Sequence, residues 1–332
     1  MSKTEEEDKK KIINRILAIK KTSEVAEIKE IKNSSPEEEE SDVLTDIKEK
    51  NFDLTDPRTL RDFLKLHRIW TKKKFGQNFL QCRESLEKIV KLGELSAGET
   101  VVEVGPGHGV LTRELLQEGV TVNAVEIDPD VLPALSASTR QWKNNLTVDN
   151  CHVLDFNPPQ GKYKFIANIP YHLTSPILRK FLIDTDNKPE KLVMLVQKEV
   201  AEKIACKDEK NSLLSIMVKT FGKPSYAFTV VAEKFFPAPK VDSAVLVIDT
   251  FEKPLIDIPA KIYFEMLFAG FSSPRKKLKN ALMKILMLTK SQVDPVFDEL
   301  KIDHDCRAQN VTIPQWEAMT KIFFKEYLDK VK

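Results

Sequence analysis

Thr100-Val101-Val102-Glu103-Val104-Gly105-Pro106-Gly107-His108-Gly109 is the stretch that decides the fold. Its first half is a short, β-rich, mostly apolar run, suited to a strand covered on both faces. Its second half places glycine at every other position, and Val110–Gln117 then follows with helical spacing. Glycines at a strand-to-helix turn let main chain approach a ligand that a side chain would hold off. The spacing is G-x-G-x-G, with Val110 where a dinucleotide fingerprint carries its third Gly or Ala. A tight turn without a ligand would use the same glycines, so this stretch speaks to topology before chemistry.

Working outward, the pattern repeats. Val120–Glu126 reads as a strand, Pro129–Arg140 as a helix, and Leu146–Val153 and Tyr163–Ala167 as two more strands. Ser175–Ile183 is a helix with Pro176 in its first turn, and Leu192–Gln197 is a fifth strand. Leu213–Thr220 is helical, and the β runs Tyr226–Val231 and Ala244–Ile248 would extend the sheet. Strands alternating with helices predict parallel pairing through right-handed crossovers: a doubly wound, Rossmann-like α/β sheet. After Lys253-Pro254 the strands stop. Ile262–Phe271, Leu278–Leu288, Val293–Leu300 and Gln315–Leu328 have helical spacing, which predicts a small all-α C-terminal domain.

Three regions follow: an N-terminal extension over 1–69, the α/β domain over 70–253, and the helical domain over 254–332. The extension carries Glu5–Glu7, Lys9–Lys11 and Glu37–Glu40, no glycine and few aromatics. Such a composition buries little and predicts disorder or partial helix. Ile12, Ile13, Ile16, Leu17 and Ile19 would line one face of a short helix, and a lead-in helix would start at Asp56-Pro57.

Composition narrows the function. The chain has 332 residues, with 52 Lys plus Arg against 50 Asp plus Glu. No apolar run approaches the ~20 residues of a membrane span, and MSKTEEEDKKK lacks a signal region. Cys82, Cys151, Cys206 and Cys306 are scattered, which argues for reduced thiols in a cytoplasmic protein and against a zinc ribbon. Five scattered His give no metal-ligand pattern, so no metal is expected. Residues 1–65 hold 14 basic and 17 acidic side chains, and the remainder 38 and 33, a mildly basic body that admits an anionic partner without requiring one. Lys72-Lys73-Lys74 and Arg275-Lys276-Lys277 are its notable clusters, each equally readable as a solvated face.

Candidate site residues collect at successive strand ends, where open α/β sheets bind ligands. Gly105 ends the first strand. Glu126 ends the second and suits ribose hydroxyls, although it would serve also as a helix-start charge. Asp155 follows the third, where a carboxylate would accept from an adenine amine. Together they predict an adenosine-type site. The fourth strand ends in Asn168-Ile169-Pro170-Tyr171. An exocyclic base amine is a poor nucleophile because its lone pair is delocalised into the ring. Acceptors from the Asn168 amide and the Pro170 carbonyl would favour a pyramidal, more reactive nitrogen, by electrostatic preorganisation and without a strong base. Tyr171 offers a stacking face. Phe235 would close the other face, or else is a core aromatic before a Pro-rich turn.

These residues resemble the small-subunit ribosomal RNA adenine N6,N6-dimethyltransferases of the KsgA type. The likeness runs from about residue 70 to the end. It includes Phe75-Gly76-Gln77-Asn78-Phe79-Leu80, Glu103-Val104-Gly105-Pro106-Gly107, Asn168-Ile169-Pro170-Tyr171 and Gln197-Lys198-Glu199-Val200. It continues through Pro239-Lys240-Val241-Asp242-Ser243-Ala244 and Arg307-Ala308 with Asn310. The resemblance implies a class I methyltransferase with S-adenosylmethionine as donor, contacted by Asn78, Leu80, Gly105, Glu126, Asp155 and Asn168. Asn168, Pro170, Tyr171 and Phe235, read above from their chemistry, would then surround the target base, splayed out of its helix. The implied substrate is a pair of adjacent adenosines in a hairpin near the 3′ end of small-subunit rRNA, methylated during assembly of the subunit by a monomer. Lys72, Lys73, Lys74, Arg275, Lys276 and Lys277 would then track phosphates.

The chain departs from the pattern at His172, where bacterial relatives commonly have Asn, and at Ser272-Ser273-Pro274-Arg275, which replaces a more basic run. Three other readings compete. A relative acting on large-subunit rRNA lacks the favour of the Lys240–Ala244 and Arg307–Asn310 motifs. An NAD-dependent dehydrogenase leaves Asn168–Tyr171 unexplained. A non-catalytic RNA-binding assembly or transcription factor would not need the intact motif.

Overall fold

Local chemistry sets the element ends in the computed structural model, which describes residues 53–69, 76–205 and 211–325. The expectations for the extension before residue 53 and for Lys72, Lys73 and Lys74 lie outside the described residues. The first helix, α1 (Pro57–Leu66), begins where the Asp56 carboxylate accepts the Arg58 and Thr59 amides and Pro57 presets the first turn. A two-residue strand β1 (Phe79–Leu80) and helix α2 (Arg83–Leu92) lead to β2 (Thr100–Val104) and α3 (Val110–Gln117). Gly109, at φ +93°, turns the chain into α3, and a Cβ there would sit 2.6 Å from the Ser138 hydroxyl.

Next come β3 (Thr121–Val125), α4 (Leu132–Ser138), β4 (Leu146–Asp149), β5 (Lys164–Asn168) and α5 (Thr174–Arg179), which continues as a wider π turn over Lys180–Asp184. The strand β6 (Lys191–Gln197) passes directly into α6 (Lys198–Ala205), and α7 (Leu213–Phe221) starts on a Ser212–Ser215 capping box. The strands β7 (Gly222–Val230), β8 (Phe235–Phe236) and β9 (Ser243–Thr250) follow. Helices α8 (Ala260–Phe271), α9 (Leu278–Leu286), α10 (Lys290–Glu299) and α11 (Ile313–Phe323) complete the described chain.

The main sheet runs in the order β4-β3-β2-β5-β6-β9-β7, the first five strands parallel and β9 antiparallel to both its neighbours, β6 and β7. The chain winds outward in one direction from β2 to β4 and in the other from β5 to β6, so the switch point falls between β2 and β5. The sheet differs from the pattern-based reading in one strand end and one strand direction that bear on the site. β4 stops at Asp149, not Val153, because it is an edge strand and the chain beyond turns away. The later β runs do extend the sheet, β9 in the reversed direction and β7, beyond it, again in the direction of the parallel strands.

Both sheet faces are covered, as alternation along single strands requires. Val101, Ile166, Val193 and Leu195 face one cluster with Leu60, Leu86, Leu111 and Leu115. Val102, Phe165, Ala167, Leu192 and Met194 face the other. That second cluster runs without a break into Tyr263, Leu267, Leu282, Phe297 and Trp316 of the C-terminal helices. The helical segment therefore shares its core with one face of the sheet. At that junction Gly270 lets α8 approach α11 so closely that a Cβ would stand 2.2 Å from the Trp316 ring.

Candidate active site at the carboxyl edge of the sheet

Five segments meet beyond the strand ends at the switch point: 76–80, the turn after β2, residues 125–127, residues 151–153, and 168–173. They enclose a cleft of about 640 Å³. Gly105 and Gly107 sit at φ +71° and +56°. A side chain on Gly105 would project toward the tip of β5, its Cβ 3.7 Å from the Asn168 carbonyl oxygen and 3.9 Å from Pro170 Cδ. Glycine therefore keeps open the gap between the two halves of the sheet.

Two buried carboxyls flank this turn. Glu126 accepts the Gly107 amide at 3.2 Å and the Asp128 amide at 2.9 Å, yet burial still lifts its pKa above the ordinary carboxylate value. Glu103 is 1% exposed, and its Oε2 has no hydrogen-bond partner. Burial pushes it up to about 8; the Thr112 hydroxyl opposes this and the Glu126 charge adds to it. Glu103 is thus a neutral acid near neutral pH.

Residues 76–80 form a strap across the mouth, fastened to both halves of the sheet. The Gln77 amide donates to Asp128 Oδ2 at 3.0 Å, beyond β3. The Asn168 amide nitrogen, at the tip of β5, donates to the Asn78 carbonyl at 3.1 Å. β1 pairs antiparallel with β8, Phe79 opposite Phe236 and Leu80 opposite Phe235. Asn168 lines the cleft with one N–H of its amide committed to the strap, and its Oδ1 can act only as an acceptor. Tyr171 stands half-buried on a single 3-10 turn, its hydroxyl 2.7 Å from Ser243 Oγ.

Of the residues expected at the site, Asn78, Leu80, Gly105, Glu126, Asn168, Pro170 and Tyr171 line one cleft. Three expectations need correction. Asp155 is exposed on a turn six residues past the end of β4, and the wall at that edge is made instead by Cys151, His152 and Val153. Phe235 is 3% exposed and packed in the core cluster with Leu80, so it offers no free face; its exposed neighbour is Phe236. The Pro170 carbonyl already accepts the Leu173 amide at 2.9 Å, which leaves it one lone pair at most.

Arg275, Lys276 and Lys277 are exposed in the α8–α9 connection, and Lys277 pairs with Asp305 at 2.5 Å. His172 is exposed at the cleft mouth, near Gly76. Among the described residues no group of acids, His and Cys could hold a metal ion, and no helix is long and apolar enough to cross a membrane. Cys82, Cys151 and Cys306 are free thiols, and Cys206 lies outside the described residues.

Residues 69–325 match the family model described as ribosomal RNA adenine dimethylase. The ribosomal RNA small subunit methyltransferase A of Dehalococcoides mccartyi is 34% identical over 265 residues, covering 78% of this chain and 90% of the relative. Its namesake from Fusobacterium nucleatum is 35% identical over 259 residues, covering 76% and 97%. Among solved structures, the 23S rRNA methyltransferase ErmE superposes with a TM-score of 0.59 at 28% identity, over 76% of this chain and all of ErmE. A dimethyladenosine transferase from Plasmodium falciparum has the same fold, with a TM-score of 0.63 at 24% identity over 75% of this chain and 98% of that one. The motifs, the sheet order and these likenesses agree: the chain belongs to the ribosomal RNA adenine dimethylase family.

Proposed function

We propose that this cleft carries out the family's reaction, N6,N6-dimethylation of adenine in ribosomal RNA, with donor and target base meeting between the Gly105–Gly107 turn and the tip of β5. The observation that carries the reading is one juxtaposition. Across a gap kept open by Gly105, the Asn168 amide nitrogen is anchored at 3.1 Å to the strap, on a residue that lines the cleft and has an amide oxygen to offer as an acceptor.

The cavity fits S-adenosylmethionine, the donor used by class I methyltransferases. Its glycine turn admits close main-chain approach, its buried Glu126 suits vicinal ribose hydroxyls, and its volume of about 640 Å³ falls in the range of small-molecule sites. When bound, that donor supplies an activated methyl group on a positive sulfur. Glu126, Gly105, Asn78 and Leu80 would hold it, with Cys151, His152 and Val153 as the wall around its base. Asn168 Oδ1 accepts one N–H of the target adenine, and a main-chain carbonyl of the Ile169–Pro170 segment accepts the other. Tyr171 stacks on the purine. The strap over 76–80 excludes water from the donor side.

The substrate within this reading is a pair of adjacent adenosines in a hairpin near the 3′ end of small-subunit rRNA, in the immature small subunit, and the enzyme acts as a cytoplasmic monomer. Arg275 and Lys276 bind phosphates outside the cleft, together with Lys72–Lys74. The names of the relatives favour the small subunit, whereas the likeness to ErmE keeps the large subunit as a second reading. Methylation of separately purified subunits distinguishes the two. Replacing Asn168 with Ala should lower methyl transfer by about 100-fold or more, the size expected for one preorganised polar group, while calorimetry still detects donor binding. Full activity in that variant would refute the role of Asn168. Unchanged dimethyladenosine in rRNA from cells lacking the protein would refute the function.

A further inference from the structure

We infer that Ser243 is a positioning residue for the target base: it fixes the ring of Tyr171 against which the purine stacks. The inference rests on the adenine-methylation reading above and adds a residue from the far side of the sheet to that site.

Tyr171 sits on a three-residue 3-10 turn, Tyr171–Leu173, directly after Pro170. A half-exposed tyrosine on so short a turn has two free side-chain torsions, and a stacking face that swings cannot orient a base. Two contacts remove that freedom. The Thr174 hydroxyl donates to the Tyr171 carbonyl at 2.9 Å, which fixes the main chain. The phenol oxygen lies 2.7 Å from Ser243 Oγ, which fixes the ring from its far end.

Ser243 is itself rigid. It is the first residue of β9 and is paired with Gln197 of β6 on one side and Val230 of β7 on the other. The preceding residue is clamped as well: the Asp242 carboxylate accepts the Ala232 amide at 3.2 Å, and its carbonyl accepts the Lys198 amide at 3.0 Å.

The choice of serine points the same way. β9 is buried from Ser243 through Ile248, and Ser243 is the one polar side chain in that run, with no exposure at all. Its pairing with β6 and β7 is made by main chain and does not call for a hydroxyl. A buried hydroxyl needs a partner, and the one this structure supplies is the aromatic residue at the cleft. A link 72 residues long in sequence thus ties the antiparallel end of the sheet to the reactive tip of β5.

The test is a mutant cycle on tritium transfer from labelled S-adenosylmethionine to small subunits purified from cells lacking the enzyme. Ser243→Ala and Tyr171→Phe should each lower kcat by about 3- to 10-fold, the effect of one neutral hydrogen bond. The double variant should be no slower than either single one, because both remove the same bond. Tyr171→Ala, which also removes the stacking face, should fall further and raise KM for the subunits. KM for the donor should stay within about two-fold of wild type in Ser243→Ala, and its melting temperature should fall by no more than about 4 °C, the share of a single hydrogen bond. This split separates positioning from general destabilisation. Wild-type kcat in Ser243→Ala, or losses that multiply in the double variant, would overturn the positioning role alone. A wild-type protein that methylates no rRNA would overturn the function and the positioning role with it.

Discussion

Replacing Glu103 with Gln should make the protein more stable, and by an amount that grows with pH. Glu103 lies within β2, 1% exposed, with one carboxyl oxygen unpartnered. In the unfolded chain its pKa is the ordinary 4.5, and in the fold burial raises it to about 8. Between those values the folded state retains a proton that the unfolded state has released, so stability falls as pH rises. The slope is ~1.4 kcal/mol per pH unit, or about 5 kcal/mol across the whole window, and it flattens above pH 8, where both states are ionised. Glutamine copies the neutral acid in shape but does not titrate. At pH 5 the two proteins should differ by about 1 kcal/mol or less, since the amide must find its own partners. By pH 8 the variant should be ahead by several kcal/mol. Glu126, whose pKa is also raised by burial, is common to both proteins and largely cancels in the difference. Urea unfolding at pH 5, 6, 7 and 8 measures the effect. A difference that stays constant over that range would show that Glu103 does not titrate as a buried acid, and the argument would fail.

Further outcomes follow from the same structure. His108 is fully buried against Phe79, its ring nitrogens unpartnered, and burial lowers its pKa to about 4. The unfolded state therefore binds the proton first, and stability should fall as pH drops from 6.5 toward 4, by about 3 kcal/mol in full; His108→Leu should remove that part of the acid limb in urea titrations. Gly270→Ala forces a methyl within 2.2 Å of the Trp316 ring, and overpacking of this kind should cost about 1–3 kcal/mol, read as a lower melting temperature. Arg275→Ala with Lys276→Ala should raise KM for rRNA and reduce the slope of log affinity against log salt by about 1 for each phosphate no longer neutralised, leaving donor affinity unchanged by calorimetry.

Much of the fold was legible where short-range chemistry decides conformation. β2 and α3 fall where the pattern put them, at Thr100–Val104 and Val110–Gln117, because the intervening glycines are required by positive φ angles. The alternation of strands and helices implied the doubly wound sheet, and the family likeness pointed to seven residues that do line one cleft. The misses share a cause. Asp155 reads as following a strand end, but β4 is an edge strand and stops at Asp149, so the wall falls to Cys151–Val153. Phe235 and Phe236 are indistinguishable as neighbouring letters; only pairing with β1 decides that the first is buried and the second exposed. The Pro170 carbonyl reads as an open acceptor in the sequence, yet the turn it starts already uses it for the Leu173 amide, which leaves one lone pair at most.

By itself, then, the amino-acid sequence determined the kinds of elements, the glycine turn, the Asn168–Tyr171 motif at a strand end and the family, since each depends on residues adjacent along the chain or on short motifs. Tertiary structure alone decided the sheet order that sets Gly105 beside Asn168, the strap that anchors the Asn168 nitrogen, the burial that neutralises Glu103, and the bond between Ser243 and Tyr171. Each of those depends on which distant segments become neighbours, and on how much water their packing removes. Side-chain periodicity tells a strand which face to bury, but it does not say which strand will lie next to it.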